Sequence, residues 1–412
     1  MRNVYVVGVG STRFGRHTGV SVKQLTRSAV EEALRDAGLG VPAIQAAFFA
    51  NTVQGALEGQ IMVRGQMALR PLGIEGVPIF NVENACASAS SALNLAVQHI
   101  RAGASDVALV VGVDKMCVPD KAAMLGVFDG AWDVHETEAG QALLMALGRG
   151  VDPPAGTAGL ETRSVFMDIY ASFAKAHMRN FGTTQRQIAA VSAKNHQHSA
   201  LNPLAHYQAS MTIEEVLAAP TVVWPLTLPM CAPVSDGAAA AVICSERVLR
   251  DLNRSRAIAV RASQVLTGVT RSADDHERHL CRIGALRAYE EAGLGPGSMD
   301  VAEVHDATAF AEIVQVENLG FCEIGQGGWM AERGVTALGG RIPVNPSGGL
   351  ESKGHPIGAT GLGQIHELVL QLRGQAGRRQ VEGARHAIAE NGGGVYGLEE
   401  STAVITILSN QL

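Results

Sequence analysis

An internal repeat constrains this chain more than any other feature. Residues 29–49 run Ala-Val-Glu-Glu-Ala-Leu-Arg-Asp-Ala-Gly-Leu-Gly and onward to Ala-Phe-Phe. Residues 284–304 run Gly-Ala-Leu-Arg-Ala-Tyr-Glu-Glu-Ala-Gly-Leu-Gly and onward to Ala-Glu-Val, at an offset of 255. Each copy reads as a helix stopped by glycine, then a turn, then a strand. A second pair follows the same plan. From Ala85 to Gly103 a small-residue turn opens a helix that leads to the strand Val107 to Val113, and Gly354 to Gly374 leads likewise to the strand Ala387 to Glu390. The expectation is a duplicated α/β chain: one half from 1–115 with 235–250, the other from 251–412, and an inserted loop or lid region over 116–234. The insertion has Pro-rich turns, scattered His and amphipathic stretches such as Met167 to Asn180. In such a duplicate, loops at corresponding strand ends converge near the pseudo-twofold axis, so chemistry is expected from both halves.

Composition removes several classes of function. With 412 residues, 47% hydrophobic and 17% charged, the chain is long and apolar enough for two large cores. Its 47 glycines and few aromatics, with short β-rich runs alternating with Ala/Leu helices, suit α/β layers. Lys plus Arg total 33 against 39 Asp plus Glu, a net charge of −6 with no basic run, so no nucleic-acid partner is expected. No stretch approaches the roughly 18 apolar residues that span a bilayer, and no membrane association is expected. The short apolar run after Arg2 is too brief for a secretory core. Cysteines at 86, 117, 231, 244, 281 and 322 form no CxxC pair, which argues against a disulfide framework and a zinc site and suits a reducing cytoplasm. The final Ser-Asn-Gln-Leu matches no organelle address.

Cys86 sits in Asn84-Ala85-Cys86-Ala87-Ser88, between the strand-like Pro78-Ile79-Phe80 and a helical run from Ser91 to Ile100. A thiol at a helix start faces unpaired amides and the positive end of the dipole, which is expected to lower its pKa and favour a nucleophilic thiolate. A buried cysteine acting as a small hydrophobe is the other reading. His305 opens His305-Asp306-Ala307-Thr308 after the strand Val301 to Val304, and His355 lies in Gly354-His355-Pro356-Ile357-Gly358-Ala359-Thr360-Gly361 before another helix. One imidazole could take the thiol proton and the other donate to a developing oxyanion; either could instead be structural. The run Glu390-Asn391-Gly392-Gly393-Gly394 after a strand reads as an oxyanion-binding turn or a plain glycine hairpin. His196-Gln197-His198 invites a metal on a strand, but no suitably spaced partner exists and no metal is expected.

These motifs, with Ser-Asp-Gly-Ala-Ala-Ala at 235–240 and the Lys194-Asn195-His196 and Asn202-Pro203 pieces, resemble the thiolase superfamily over essentially the whole chain, in order. The last two resemble its sterol-carrier-protein-2 type. The resemblance implies a thiolase-like duplicated five-layered fold, a homodimer or tetramer, and acyl-CoA and CoA as substrates. Coenzyme A is then a co-substrate, with no permanently bound cofactor. It also implies that Cys86 carries the acyl group, His355 activates it, His305 binds the thioester or enolate oxygen, and the amides of Cys86 and Gly392 form an oxyanion hole. The implied activity is acyl-CoA C-acyl transfer through acyl-Cys86. Members of this subgroup often work with a small zinc-ribbon/OB-fold partner protein and resemble enzymes of lipid or aromatic-acid breakdown. The chain departs from the pattern where a second thiol is usual: those places hold Glu390 and Ala307, and Thr308 replaces an aromatic. Glu390 is the expected replacement acid/base, with Cys231 second. A thiolase-fold retro-aldol lyase and a non-catalytic lipid-binding or assembly subunit are the alternatives.

Overall fold

The computed structural model describes residues 2–411; Leu412, which closes the C-terminal tetrapeptide, lies outside the described residues. The main strands are β1 (Val4–Ser11), β2 (Ala46–Ala50), β3 (Ile79–Val82), β4 (Val107–Asp114), β5 (Gly237–Ser245), β6 (Ile258–Thr267), β7 (Val301–Glu303), β8 (His386–Gly393) and β9 (Thr402–Ser409). The helices that position the site are α1 (Val22–Ala37), α2 (Ser88–Arg101), α3 (Val165–Phe181), α4 (Gln185–Ser199), α5 (Leu280–Ala292), α6 (Ala309–Asn318) and α7 (Thr360–Leu372).

The strands join in the order β3-β2-β4-β5-β1-β6-β9-β8-β7. The duplication is visible in the pairing. In the first half β2 lies parallel to β4, then β4-β5 and β5-β1 are antiparallel. In the second half β7 lies parallel to β8, then β8-β9 and β9-β6 are antiparallel. The place corresponding to β3 is held by a single parallel bridge, Ala302 to Val344. The halves meet where β1 pairs with β6 at Tyr5↔Ala259 and Val6↔Ile258.

Sequence periodicity explains the layers. On α1 the buried residues Val22, Leu25, Ala29, Val30 and Ala33 follow helical spacing, a capping box between Ser21 and Gln24 starts the helix, and Gly38 ends it at φ +66°. Gly293 ends α5 in the same left-handed conformation, φ +67°. Those two glycines are the repeat's own signal. One hydrophobic core holds α1 against the outer face of the first half, and another holds α5 against the second. A third contains residues of α2 and α7 together with residues from the strands of both halves, so these two helices form the middle layer. Helix, sheet, helix pair, sheet, helix is the five-layered arrangement.

Two local expectations are corrected. Glu390 to Gly393 lie inside β8, paired through Glu390↔Ile405 and Gly392↔Ala403, so the glycine run continues a strand where a turn was expected. His196 and His198 sit on α4, not on a strand, where residues two apart point to different sides. Among the described residues no helix is long and apolar enough to cross a membrane.

Candidate active site

Cys86 lies in a tight turn between β3 and α2. Ala85 adopts φ +47°, a left-handed conformation costly for a residue with a Cβ. Local bonds hold it there: the Ala85 carbonyl accepts from the Ser88 amide at 3.1 Å, the Ser88 hydroxyl at 2.6 Å and the Thr52 hydroxyl at 3.3 Å. The turn sets Cys86 at the head of α2, which starts at Ser88, three residues before the expected Ser91.

His305, just beyond β7, and His355, just before α7, come from the opposite half. The Cys86 sulfur and a ring nitrogen of each histidine lie within 4.8 Å of one another, and the two imidazoles meet edge to face with centroids 5.3 Å apart. Hydrogen bonding assigns the His355 tautomer. Its Nδ1 lies 2.6 Å from the Thr360 hydroxyl, which itself donates to the Pro356 carbonyl at 3.1 Å. The hydroxyl therefore accepts from Nδ1–H, and Nε2 is left as an unprotonated acceptor. Both ring nitrogens of His305 are buried without a protein partner, so one is free to donate to a ligand oxygen.

The electrostatics correct the expectation of a resting thiolate. Burial pushes the Cys86 thiol up to about 12, and the charge of Asp114 adds to this, against opposing amides of Cys86 itself and Gly394. Burial also holds His355 well below its ordinary value and His305 down at about 4. Desolvation outweighs the helix terminus. The ground state is thus a neutral thiol beside a neutral imidazole, suited to proton transfer during attack.

Asp114, at the end of β4, was not singled out from the sequence. It accepts from the amides of Val53 at 3.0 Å and Gly358 at 2.5 Å and from the Asn51 side chain at 2.9 Å. It therefore ties the Gly-His-Pro loop of one half to the loop after β2 in the other. Burial raises it to about 6, with those amides opposing. Asp236 of the Ser-Asp-Gly motif plays a comparable structural part, accepting from the amides of Met116 and Cys117 at 2.7 Å each.

A cavity of about 600 Å³ opens above these groups, lined by Cys86, His305, His355, Ala307 and Cys231, with aromatic walls that include Phe166, Tyr170 and Phe173 from α3. The region 116–234 thus supplies much of the wall. Gly393 and Gly394 line the cavity, whereas Gly392 does not. Cys231 is tied by its sulfur to the Thr227 carbonyl at 3.5 Å, and burial raises it to about 12. Glu390 faces away from the cavity: its carboxylate accepts from the His305 amide at 2.9 Å and the Cys281 thiol at 3.5 Å, and burial raises it to about 8. The histidine pair is not a chelate. His196 bonds the Pro229 carbonyl at 3.2 Å, and His198 bonds the Asn345 carbonyl at 3.0 Å. A second close group is His279, Cys281 and Glu400. There His279 Nδ1 accepts from the Cys281 amide at 3.3 Å and the Asn318 side chain at 3.2 Å, which leaves the proton on Nε2 and does not suit a metal.

Comparison with known proteins gives concordant matches. The description "Thiolase, N-terminal domain" fits residues 4–215, and "Thiolase C-terminal domain-like" fits residues 263–410. An acetyl-CoA acetyltransferase of Methanothermobacter thermautotrophicus is 36% identical, covering 99% of this chain and 100% of that one. Sterol carrier protein 2 of Bos taurus is 35% identical over 95% of this chain and 70% of its own length. The benzoylsuccinyl-CoA thiolase subunit BbsB of Thauera aromatica is 35% identical over 92% of each. Among solved structures, an "Ltp2-ChsH2(DUF35) aldolase" superposes with TM-score 0.77 at 22% identity, covering 99% of this chain and 98% of that one. Human mitochondrial 3-ketoacyl-CoA thiolase superposes with TM-score 0.69 at 18% identity, covering 100% and 99%. These two structures show a shared fold.

Proposed function

The chain belongs to the thiolase family and is an acyltransferase of it, and from that premise we propose that it cleaves a β-ketoacyl-CoA with CoA, or runs the reverse condensation, through acyl-Cys86. The observation that carries this reading is the convergence of the Cys86 sulfur with His305 and His355 within 4.8 Å at the floor of the cavity.

In the cleavage direction His355 Nε2 takes the thiol proton as sulfur attacks the β-carbonyl carbon. His305 and the amides at the head of α2 stabilise the oxygen that gains charge. The Cα–Cβ bond breaks, its electron pair remains with the departing thioester as an enolate, and a proton is returned to Cα. CoA thiol then attacks acyl-Cys86, losing its proton to the site and restoring the Cys86 thiol. Both oxyanions fall on one small cluster because each half of the duplicated chain brings its own loop to the shared centre.

The reading includes a homo-oligomer formed along β3. That strand has one free edge, with Phe80 42% exposed on it and Met62 74% exposed nearby, an apolar edge of the kind that pairs with a second copy. It also includes a small zinc-ribbon/OB-fold partner, supported by the DUF35-containing structure among the fold neighbours, and a reducing cytoplasmic location, supported by six unpaired cysteines. A retro-aldol lyase on this scaffold would need no acyl-cysteine, and the intact Cys86, His305 and His355 cluster disfavours it.

The test is thiolysis. The purified chain, with and without a co-expressed partner, is given a β-ketoacyl-CoA series and CoA, and shortened acyl-CoA is measured. Cys86→Ala should remain folded and lose turnover. Near-normal turnover by that variant would sink the thiolytic reading.

A further inference from the structure

Resting on the acyl-Cys86 reading, we propose that Glu400 is the catalytic group that returns and removes the α-carbon proton, in place of the thiol that Glu390 and Ala307 do not supply.

The choice follows from which carboxylates reach the cavity and what already holds them. Glu83, Glu317, Glu399 and Glu400 line it. Glu83 is exposed and accepts from the Ala85 amide at 2.6 Å. Glu317 accepts from the Gly327 amide at 2.8 Å and faces His177 at 3.1 Å. Glu399 is paired with Arg271 at 2.6 Å and accepts from the Leu280 amide at 3.2 Å and the Val269 amide at 3.3 Å, so both of its oxygens are engaged. Of the three that are not exposed, Glu400 alone has one oxygen anchored and one open. Its Oε1 accepts from Gln315 at 3.0 Å, while Oε2 lies 3.9 Å from His279 Nε2 and 4.0 Å from the Cys281 sulfur, beyond a good hydrogen bond to either.

Its position relative to the nucleophile is set by β8. A Cβ on Gly392 would fall 2.7 Å from Glu400 Cγ, and a Cβ on Gly393 would fall 2.3 Å from the Asn84 carbonyl and 2.7 Å from the Ala87 amide. Successive strand residues point to opposite faces, so Gly392 gives the Glu400 side chain room on one face of β8 and Gly393 gives the Cys86 turn room on the other, and both groups open on the one cavity at the end of that strand. Tyr170, whose phenol burial pushes well above its ordinary value, lines the same cavity as Glu400 and Cys86. Burial, with the charge of Glu399, raises the proton affinity of Glu400, as a carboxyl that donates near neutral pH requires.

The Cys281 thiol stands between the two carboxylates, 3.5 Å from Glu390 and 4.0 Å from Glu400. Glu390, behind it, accepts from the Cys281 thiol and is a positioning residue for that thiol. In cleavage the Glu400 carboxyl gives its proton to the enolate carbon and becomes a carboxylate. It recovers a proton from the CoA thiol that attacks acyl-Cys86, so protons balance over the cycle.

The experiment follows deuterium uptake from heavy water at the α-carbon of acetyl-CoA and propionyl-CoA, beside intact-mass measurement of acyl-Cys86. Glu400→Gln is expected to reach the wild-type final extent of acylation and to lose exchange by about 100-fold or more, the scale of general acid-base catalysis. Glu390→Gln and Cys231→Ser should each keep exchange well above Glu400→Gln. Exchange by Glu400→Gln within about threefold of wild type overturns the assignment, as does a Glu390→Gln or Cys231→Ser variant that loses exchange while Glu400→Gln keeps it. A wild-type chain that neither acylates nor exchanges overturns the acyl-Cys86 reading and this assignment with it, whereas wild-type acylation beside unaffected exchange in Glu400→Gln removes the assignment alone.

Discussion

At the residue scale the site depends on His355 presenting Nε2 as an acceptor. His355→Ala should lower turnover by roughly 10²- to 10⁴-fold, measured as thiolysis. Thr360→Val, which removes the hydroxyl that holds Nδ1, should give a smaller loss. The buried, neutral thiol carries its own signature. Because burial holds Cys86 at about 12, alkylation of the ligand-free protein by iodoacetamide should keep rising about tenfold per pH unit through pH 9 as the thiolate fraction grows. A plateau near pH 7 would instead show a standing thiolate-imidazolium pair. The sequence pattern located Cys86, His305 and His355 because each sits at a junction of strand, turn and helix with small neighbours. Asp114 left no such mark. Its partners come from two segments far apart in the chain, Asn51 to Val53 and Gly358, and a strand-end aspartate looks the same whether it caps nothing or joins two halves. Glu400 was equally silent, since its place depends on Gly392 leaving room above β8.

At the scale of elements, the glycine-stopped helices were legible because the left-handed residue that ends them demands glycine. Gly293→Ala should cost about 1 kcal/mol of stability in urea unfolding and leave acylation of Cys86 intact. The middle layer is less forgiving. A Cβ on Gly361 would fall 2.0 Å from the Ser90 hydroxyl, so Gly361→Ala must push α7 from α2. That variant should unfold at markedly lower denaturant than Gly293→Ala, and equal midpoints would mean that the two helices are not closely packed. The glycine run at 392–394 differs from a simple turn for a local reason: β8 continues through Gly393, whose bare backbone lies against the Cys86 turn, and only Gly394, at φ +62°, bends the chain towards β9. The His196 to His198 stretch reads as a strand chelate only if its helical context is ignored, and the capping box at Thr184 and Gln187 that starts α4 was the available signal.

For the whole molecule, duplication explains both the economy of the fold and the placing of chemistry at its centre, where buried ionisable groups accumulate. Burial raises Glu351 and Glu390 to about 8 each and lowers His198 and His279 to about 3 and His305 and His366 to about 4. For the histidines the unfolded chain binds more protons below about pH 6.5, so their contribution to stability is lost as pH falls. For the two glutamates the native chain keeps protons that the unfolded chain releases above about pH 4.3, so their contribution is present below that value and is lost as pH rises through about 8. Stability to urea should therefore peak between about pH 6 and 7 and fall by at least about 1 kcal/mol by pH 9, with Glu351→Gln flattening the alkaline side. A stability that keeps rising through pH 9 would contradict this. The most direct test of the central claim is intact-mass spectrometry of the purified chain after brief exposure to a β-ketoacyl-CoA without added CoA. The predicted result is one acyl group per chain, mapped to the peptide containing Cys86, discharged on adding CoA and absent in Cys86→Ala. Consumption of the substrate with no adduct on Cys86, or an unchanged adduct in Cys86→Ala, would contradict it.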